Sequence, residues 1–105
     1  MKAVDYRNET WAQVRGRLVG SRMAVLELWR RYGPCTTAEL ARRSGRAVLT
    51  IRPRTTELLE LGFVALASDE RGPEGRYMAV AEGTAEATFR RRAAERRKAE
   101  QMTLL

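Results

Sequence analysis

Apolar residues along this chain recur at helical spacing through most of its length and switch to short alternating runs only near residues 63 to 80. From the N-terminus, Asn8 or Thr10 offers a side-chain cap for a helix carrying Trp11, Val14 and Leu18, and Gly20-Ser21 breaks it, with Ser21 capping the next. That next helix repeats Val25, Leu28, Trp29 and Tyr32 at i, i+3, i+4, i+7 spacing, while Glu27, Arg30 and Arg31 fall on the opposite side. Both tryptophans, Trp11 and Trp29, lie at inward positions and are assigned to packing.

A third helix opens at Thr36, three residues before Glu39, a spacing that lets hydroxyl and carboxylate satisfy the free amides of a helix start reciprocally. Leu40 and Ala41 give it an apolar face, and Ser44-Gly45 ends it, since glycine takes the left-handed conformation that a helix exit requires. A fourth follows after a tight turn. Val48, Ile51, Thr55, Leu58 and Leu59 fall within a narrow arc at about 100° per residue and face inward. Leu49, Pro53 and Thr56 point away, flanked by Thr50, Arg52 and Arg54. Pro53 would interrupt a helix interior; a start capped by Thr50 places it in the first turn, where its missing donor costs little. Strands at 63 to 67 and 77 to 80 then enclose a loop too long for a two-residue hairpin.

This order, a capped helix, a glycine turn, an arginine-bearing helix and a hairpin, resembles the small winged helix-turn-helix proteins of phages and prophages, distantly MarR-like. The matching features are Ala24-Val25 and Gly33-Pro34 bounding the first helix, Thr37-x-Glu39-Leu40-Ala41, Ile51-Arg52-Pro53-Arg54, Glu57-Leu58 with Leu61-Gly62-Phe63-Val64, and Gly75-Arg76 on the wing. The resemblance covers residues 21 to 81. It divides the chain into an N-terminal helical extension (1 to 20), a winged domain (21 to 81) and a basic C-terminal helix or tail (82 to 105). The expected fold is mainly α with a small antiparallel β-hairpin. The scaffold itself hosts repressors, replication factors and protein binders, so function must be argued from side chains.

Composition narrows the choice. The 105 residues suffice for one domain, and 44% hydrophobic content argues against disorder. No apolar run approaches the roughly 18 residues of a membrane span. Residues 1 to 20 carry charge throughout, unlike a secretory leader, so a cytoplasmic protein is expected, associated with the nucleoid of a bacterial host when bound. A single cysteine, Cys35, excludes an internal disulfide and is read as a small packed residue. There is no histidine, no glycine-rich phosphate loop and no nucleophile motif. An enzyme is therefore not expected, and no cofactor or metal is implied.

The net charge of +7, with 18 of 20 basic residues arginine, favours a polyanionic partner, because neutralising phosphates releases condensed counterions. Arginine pairs bidentately with guanine O6 and N7 in a major groove. The expected interface to double-stranded DNA places Arg52 and Arg54 on bases or flanking phosphates, with Thr50 making a shorter contact. Thr37, Arg42, Arg43 and Arg46 hold the backbone, and Arg76 reaches from the wing. Segment 63 to 81 departs from this pattern, holding two basic and three acidic residues; Asp69, Glu70 and Glu74 repel phosphate, so a DNA contact by Arg71 or Arg76 stands beside a solvated loop. In the tail, Ala85 and Phe89 should dock, whereas Arg90, Arg91, Arg92, Arg96, Arg97 and Lys98 fit a frayed solvated helix, a phosphate-contacting extension or a dimer arm ending in Met102, Leu104 and Leu105.

Taken together, the sequence predicts a sequence-preferring DNA-binding protein; the resemblance implies a small phage or mobile-element transcriptional regulator, with a homodimer to match two half-sites. The rival is a winged-helix interaction factor acting on a host protein complex such as RNA polymerase or defence machinery. An RNA or single-strand binder would present more exposed aromatics than the seven present here.

Overall fold

Thr10 and Gln13 form a reciprocal cap that starts the first helix, α1, at Trp11–Arg15, in a computed structural model that describes residues 4 to 70 and 75 to 104. This helix is shorter than the sequence predicts: it closes at Gly16, and Leu18 enters the core from the following turn. The second, α2 (Gly20–Tyr32), starts one residue before Ser21, with Val19 at its cap position and no side-chain hydrogen bond there, so Ser21 is a first-turn residue rather than the cap. Helix α3 (Thr37–Ser44) carries the reciprocal cap of Thr36 and Glu39 and ends on Gly45 at φ +72°. Helix α4 (Val48–Leu61) starts from Ala47, not Thr50, and closes on Gly62 at φ +92°. Pro53 accordingly lies inside the helix, beyond its first turn.

Strands β1 (Val64–Leu66) and β2 (Tyr77–Ala79) pair antiparallel with Ala65 opposite Met78, a shorter hairpin than the alternation suggests. Cys35, just after α2, bridges to the outer side of β2 by exchanging backbone hydrogen bonds with Tyr77 at 3.1 and 2.8 Å. The hairpin is thereby anchored to the end of α2. Residues 71 to 74, with Arg71 and Glu74, lie outside the described part. The last helix, α5, is Glu82–Leu104.

Trp29 stands at the centre of the core, buried and edge-on to Tyr77 at 6.0 Å. Its indole N–H donates to Thr55 Oγ1 at 2.9 Å, and that hydroxyl donates to the Ile51 carbonyl at 2.9 Å. The one polar atom of the tryptophan is satisfied, and α2 is pinned across α4. Leu26, Leu40, Ile51, Leu58 and Phe63 fill the space around it. Leu26 was not on the stripe read from sequence, which shows α2 covered over a wider arc than i, i+3, i+4 spacing implies.

A second, aromatic cluster joins the ends of the chain to this body. Trp11 meets Phe63 at 5.5 Å and Phe89 at 5.9 Å with the rings tilted, and Tyr6 meets Phe89 at 5.6 Å. Arg92 Nη1 donates to the Glu60 carbonyl at 2.9 Å and to Tyr6 Oη at 3.2 Å, while Arg15 pairs with Glu82. Docking of α5 therefore extends from Ala85 and Phe89 to Ala93, one turn further than predicted. Beyond it the side chains are mostly exposed, Met102 among them, and i, i+4 pairs such as Arg96 with Glu100 lie along the helix.

Candidate nucleic-acid interface

Charge on the α3–α4 unit is sorted by ion pairing. Glu39 lies between Arg43 and Arg76, at 3.3 and 3.4 Å. The backbone amide of Thr36, then its hydroxyl and the two guanidinium groups, hold its carboxyl below the usual carboxylate range. Glu57 is likewise shared by Arg22 at 2.7 Å and Arg54 at 2.8 Å. The acids next to the turn are thus neutralised by arginines that face back into the fold. Arg42, Arg46 and Arg52 are exposed and hold no ion pair or side-chain hydrogen bond among the described residues.

These three unpaired guanidinium groups come from the last turn of α3, the turn itself and the first half of α4. With them Leu49, Thr50, Pro53 and Thr56 form the exposed outer face of α4. Thr56 Oγ1 donates to the Arg52 carbonyl at 3.2 Å, so its hydroxyl is held along the helix. Because Ala47 has no side-chain oxygen, the amides of the first turn of α4 receive no side-chain cap, leaving the positive end of the helix dipole beside the same arginines.

The residues predicted from sequence thus divide. Arg42, Arg46, Thr50 and Arg52 are each exposed, on the last turn of α3, the turn and the first turns of α4. Arg54 turns along the flank of α4 toward α2, where it meets Glu57 and, at 3.5 Å, Ser21 Oγ. Arg43 donates to the Tyr32 carbonyl at 2.9 Å and Arg76 to that of Pro34 at 3.3 Å, so both brace the end of α2 against α3 while remaining exposed. Thr37 is out of reach: it is 5% exposed and its hydroxyl, with no partner among the described residues, is covered. The sequence pattern placed Thr37 beside the cap, where first-turn residues are commonly open, but α3 packs that side inward. Arg71, the other wing arginine, lies outside the described residues.

Cys35 is fully buried, and burial pushes its thiol up despite the nearby Arg43 and Arg76. It stays protonated near neutral pH and acts as a packed small residue, not as a nucleophile. Leu49, 78% exposed on α4, is not among the residues that the sequence predicts to contact DNA. Its outward position was legible from the helical wheel, yet an apolar side chain carries no charge signal.

No protein-family model matches the chain, and no curated protein is found similar to it. Among solved structures, MarR of Staphylococcus aureus in complex with salicylate and kanamycin superposes with a TM-score of 0.55 at 11% sequence identity. The match covers 86% of this chain and 59% of that one, so this chain spans well under two thirds of the MarR length. At this identity the likeness is one of fold: among the described residues, five helices and a two-stranded antiparallel hairpin in the winged-helix arrangement.

Proposed function

We propose that this protein is a sequence-preferring double-stranded DNA-binding protein and a small transcriptional regulator of the kind carried by phages and mobile elements. The observation that supports it is that Arg42, Arg46 and Arg52 stand exposed and unpaired along the end of α3, the turn and the start of α4, while Glu39 and Glu57 beside them are held in ion pairs. In this reading α4 enters the major groove by its N-terminal half. Arg52 reads a base edge, Thr50 and the uncapped amides of α4 approach phosphate or base, and Arg42 and Arg46 clamp the backbone on either side. Arg43, Arg54 and Arg76 supply field from behind, and only rearrangement of their ion pairs would bring them to phosphate. The phage or mobile-element origin is carried by the resemblance of the motif alone.

The experiment is selection of a preferred duplex from a random pool, followed by titration of that duplex and a scrambled one. Arg52→Ala should cost about 1–3 kcal/mol on the selected duplex and much less on the scrambled one. Arg42→Ala and Arg46→Ala should weaken both alike and each lower the salt slope by about 1. Equal losses on both duplexes for Arg52→Ala would remove it from base reading. A second reading, a protein-interaction factor for a host complex, draws on the exposed acids Asp69 and Glu70 of the wing and on exposed Met102. Retention of one host protein with no duplex affinity at moderate salt would favour it.

A further inference from the structure

Leu49 is 78% exposed, more than Val19, Met78 or Met102, the other large exposed hydrophobics among the described residues. It sits in the first turn of α4, with unpaired Arg46 three residues before it, exposed Thr50 next to it and unpaired Arg52 three residues after it. Arg52 follows it by three residues, so both lie on one face, separated by about 4.5 Å of helix rise. Successive bases on a strand are about 3.4 Å apart. Two side chains at this spacing address neighbouring positions on the groove floor, one with carbon and the other with guanidinium.

The major-groove edge offers few partners for carbon. Guanine shows N7 and O6, adenine N7 and an amino group, cytosine an amino group; only thymine adds an apolar element, its C5-methyl. A cytosine methylated at C5 presents the same group at the same place. We infer that Leu49 reads the C5-methyl of a pyrimidine lying next to the guanine that Arg52 contacts, which makes a methyl-bearing pyrimidine beside guanine the recognised element. This rests on the reading of α4 as the groove helix and adds a specificity-determining residue to it. Pro53, exposed next to Arg52, extends the carbon surface by one turn.

The test uses the full chain and its selected duplex. Each thymine is replaced in turn by deoxyuridine, which removes the methyl and keeps O4, and the pyrimidine beside the essential guanine is also tested as cytosine and as 5-methylcytosine. One deoxyuridine position next to guanine should weaken the wild-type protein about fourfold, the value of one buried methyl-sized group. At that position 5-methylcytosine should bind better than cytosine, and whichever of thymine or 5-methylcytosine binds more tightly identifies the source of the methyl. Leu49→Ala should bind the methylated and unmethylated duplexes equally while keeping the salt slope of the wild type. Sequence-preferring binding that is indifferent to every methyl change would overturn the inference and leave α4 as the reading helix. Failure to bind any duplex would overturn both.

Discussion

Thr55 decides how Trp29 can be buried. A threonine in mid-helix usually bonds its own preceding turn, and here it does so while also accepting the indole N–H. Thr55→Val keeps the volume and removes the acceptor, so a buried donor is left unsatisfied; urea titration should show a loss of about 1–3 kcal/mol. Glu39 supplies a second residue-scale prediction. Its carboxyl is held low by the Thr36 amide and by Arg43 and Arg76, so it stabilises the fold above its unfolded-state value, and that contribution is lost as the pH falls through the depressed folded value. The wild type should therefore lose more stability than Glu39→Gln in acid unfolding below the ordinary carboxylate range, because glutamine keeps a capping acceptor without a charge. At this scale the sequence was legible where a side chain speaks to its own backbone, as in the Thr36 and Thr10 caps. It was silent where a partner lies far along the chain, as for Arg54 with Ser21 or Arg76 with Pro34.

Among the elements, α4 differs most from its expected form. Hydroxyl residues advertise helix starts, whereas Ala47 does not, and the proline pointed to a later start that the backbone does not adopt. The earlier start adds Val48, half-buried, to the inward side that Ile51, Thr55, Leu58 and Leu61 form, at the cost of placing Pro53 inside the helix. Pro53→Ala should therefore stabilise the protein, by up to about 3 kcal/mol in thermal or urea unfolding, because it restores an intrahelical donor. The exit of α4 gives the opposite sign. Gly62 is left-handed, and an added Cβ would also rest 3.6 Å from the Ala85 carbonyl and Thr88 of α5. Gly62→Ala should destabilise by about 1–2 kcal/mol. The turn glycines were legible because their conformation is a local demand; the shortening of α1 was not, because Leu18 is buried at helical spacing from Val14 although the helix has already closed at Gly16.

For the whole molecule, Tyr6, Trp11, Phe63 and Phe89 tie the two ends of the described chain to the winged body, and among the described residues after Ala93 none is buried. The surface pair Arg7 with Glu100 is worth at most about 1 kcal/mol. Removal of residues 94 to 105 should accordingly leave unfolding within about 1 kcal/mol of the full chain and keep the preference for the selected duplex. The winged architecture was legible as a succession of caps, stripes and turns. Which arginines of the α3–α4 unit remain free was not, because the net charge of +7 counts every cation alike and only the folded pairs show that Arg42, Arg46 and Arg52 hold no ion pair there. In the proposed binding mode the surface that carries them meets the duplex. Backbone amide shifts of labelled protein, followed while a selected duplex is added, test it most directly. The largest changes should fall at residues 42 to 56, centred on Leu49 and Arg52, with little change near Met102; changes confined to α5 or to the wing would show that the duplex is met elsewhere.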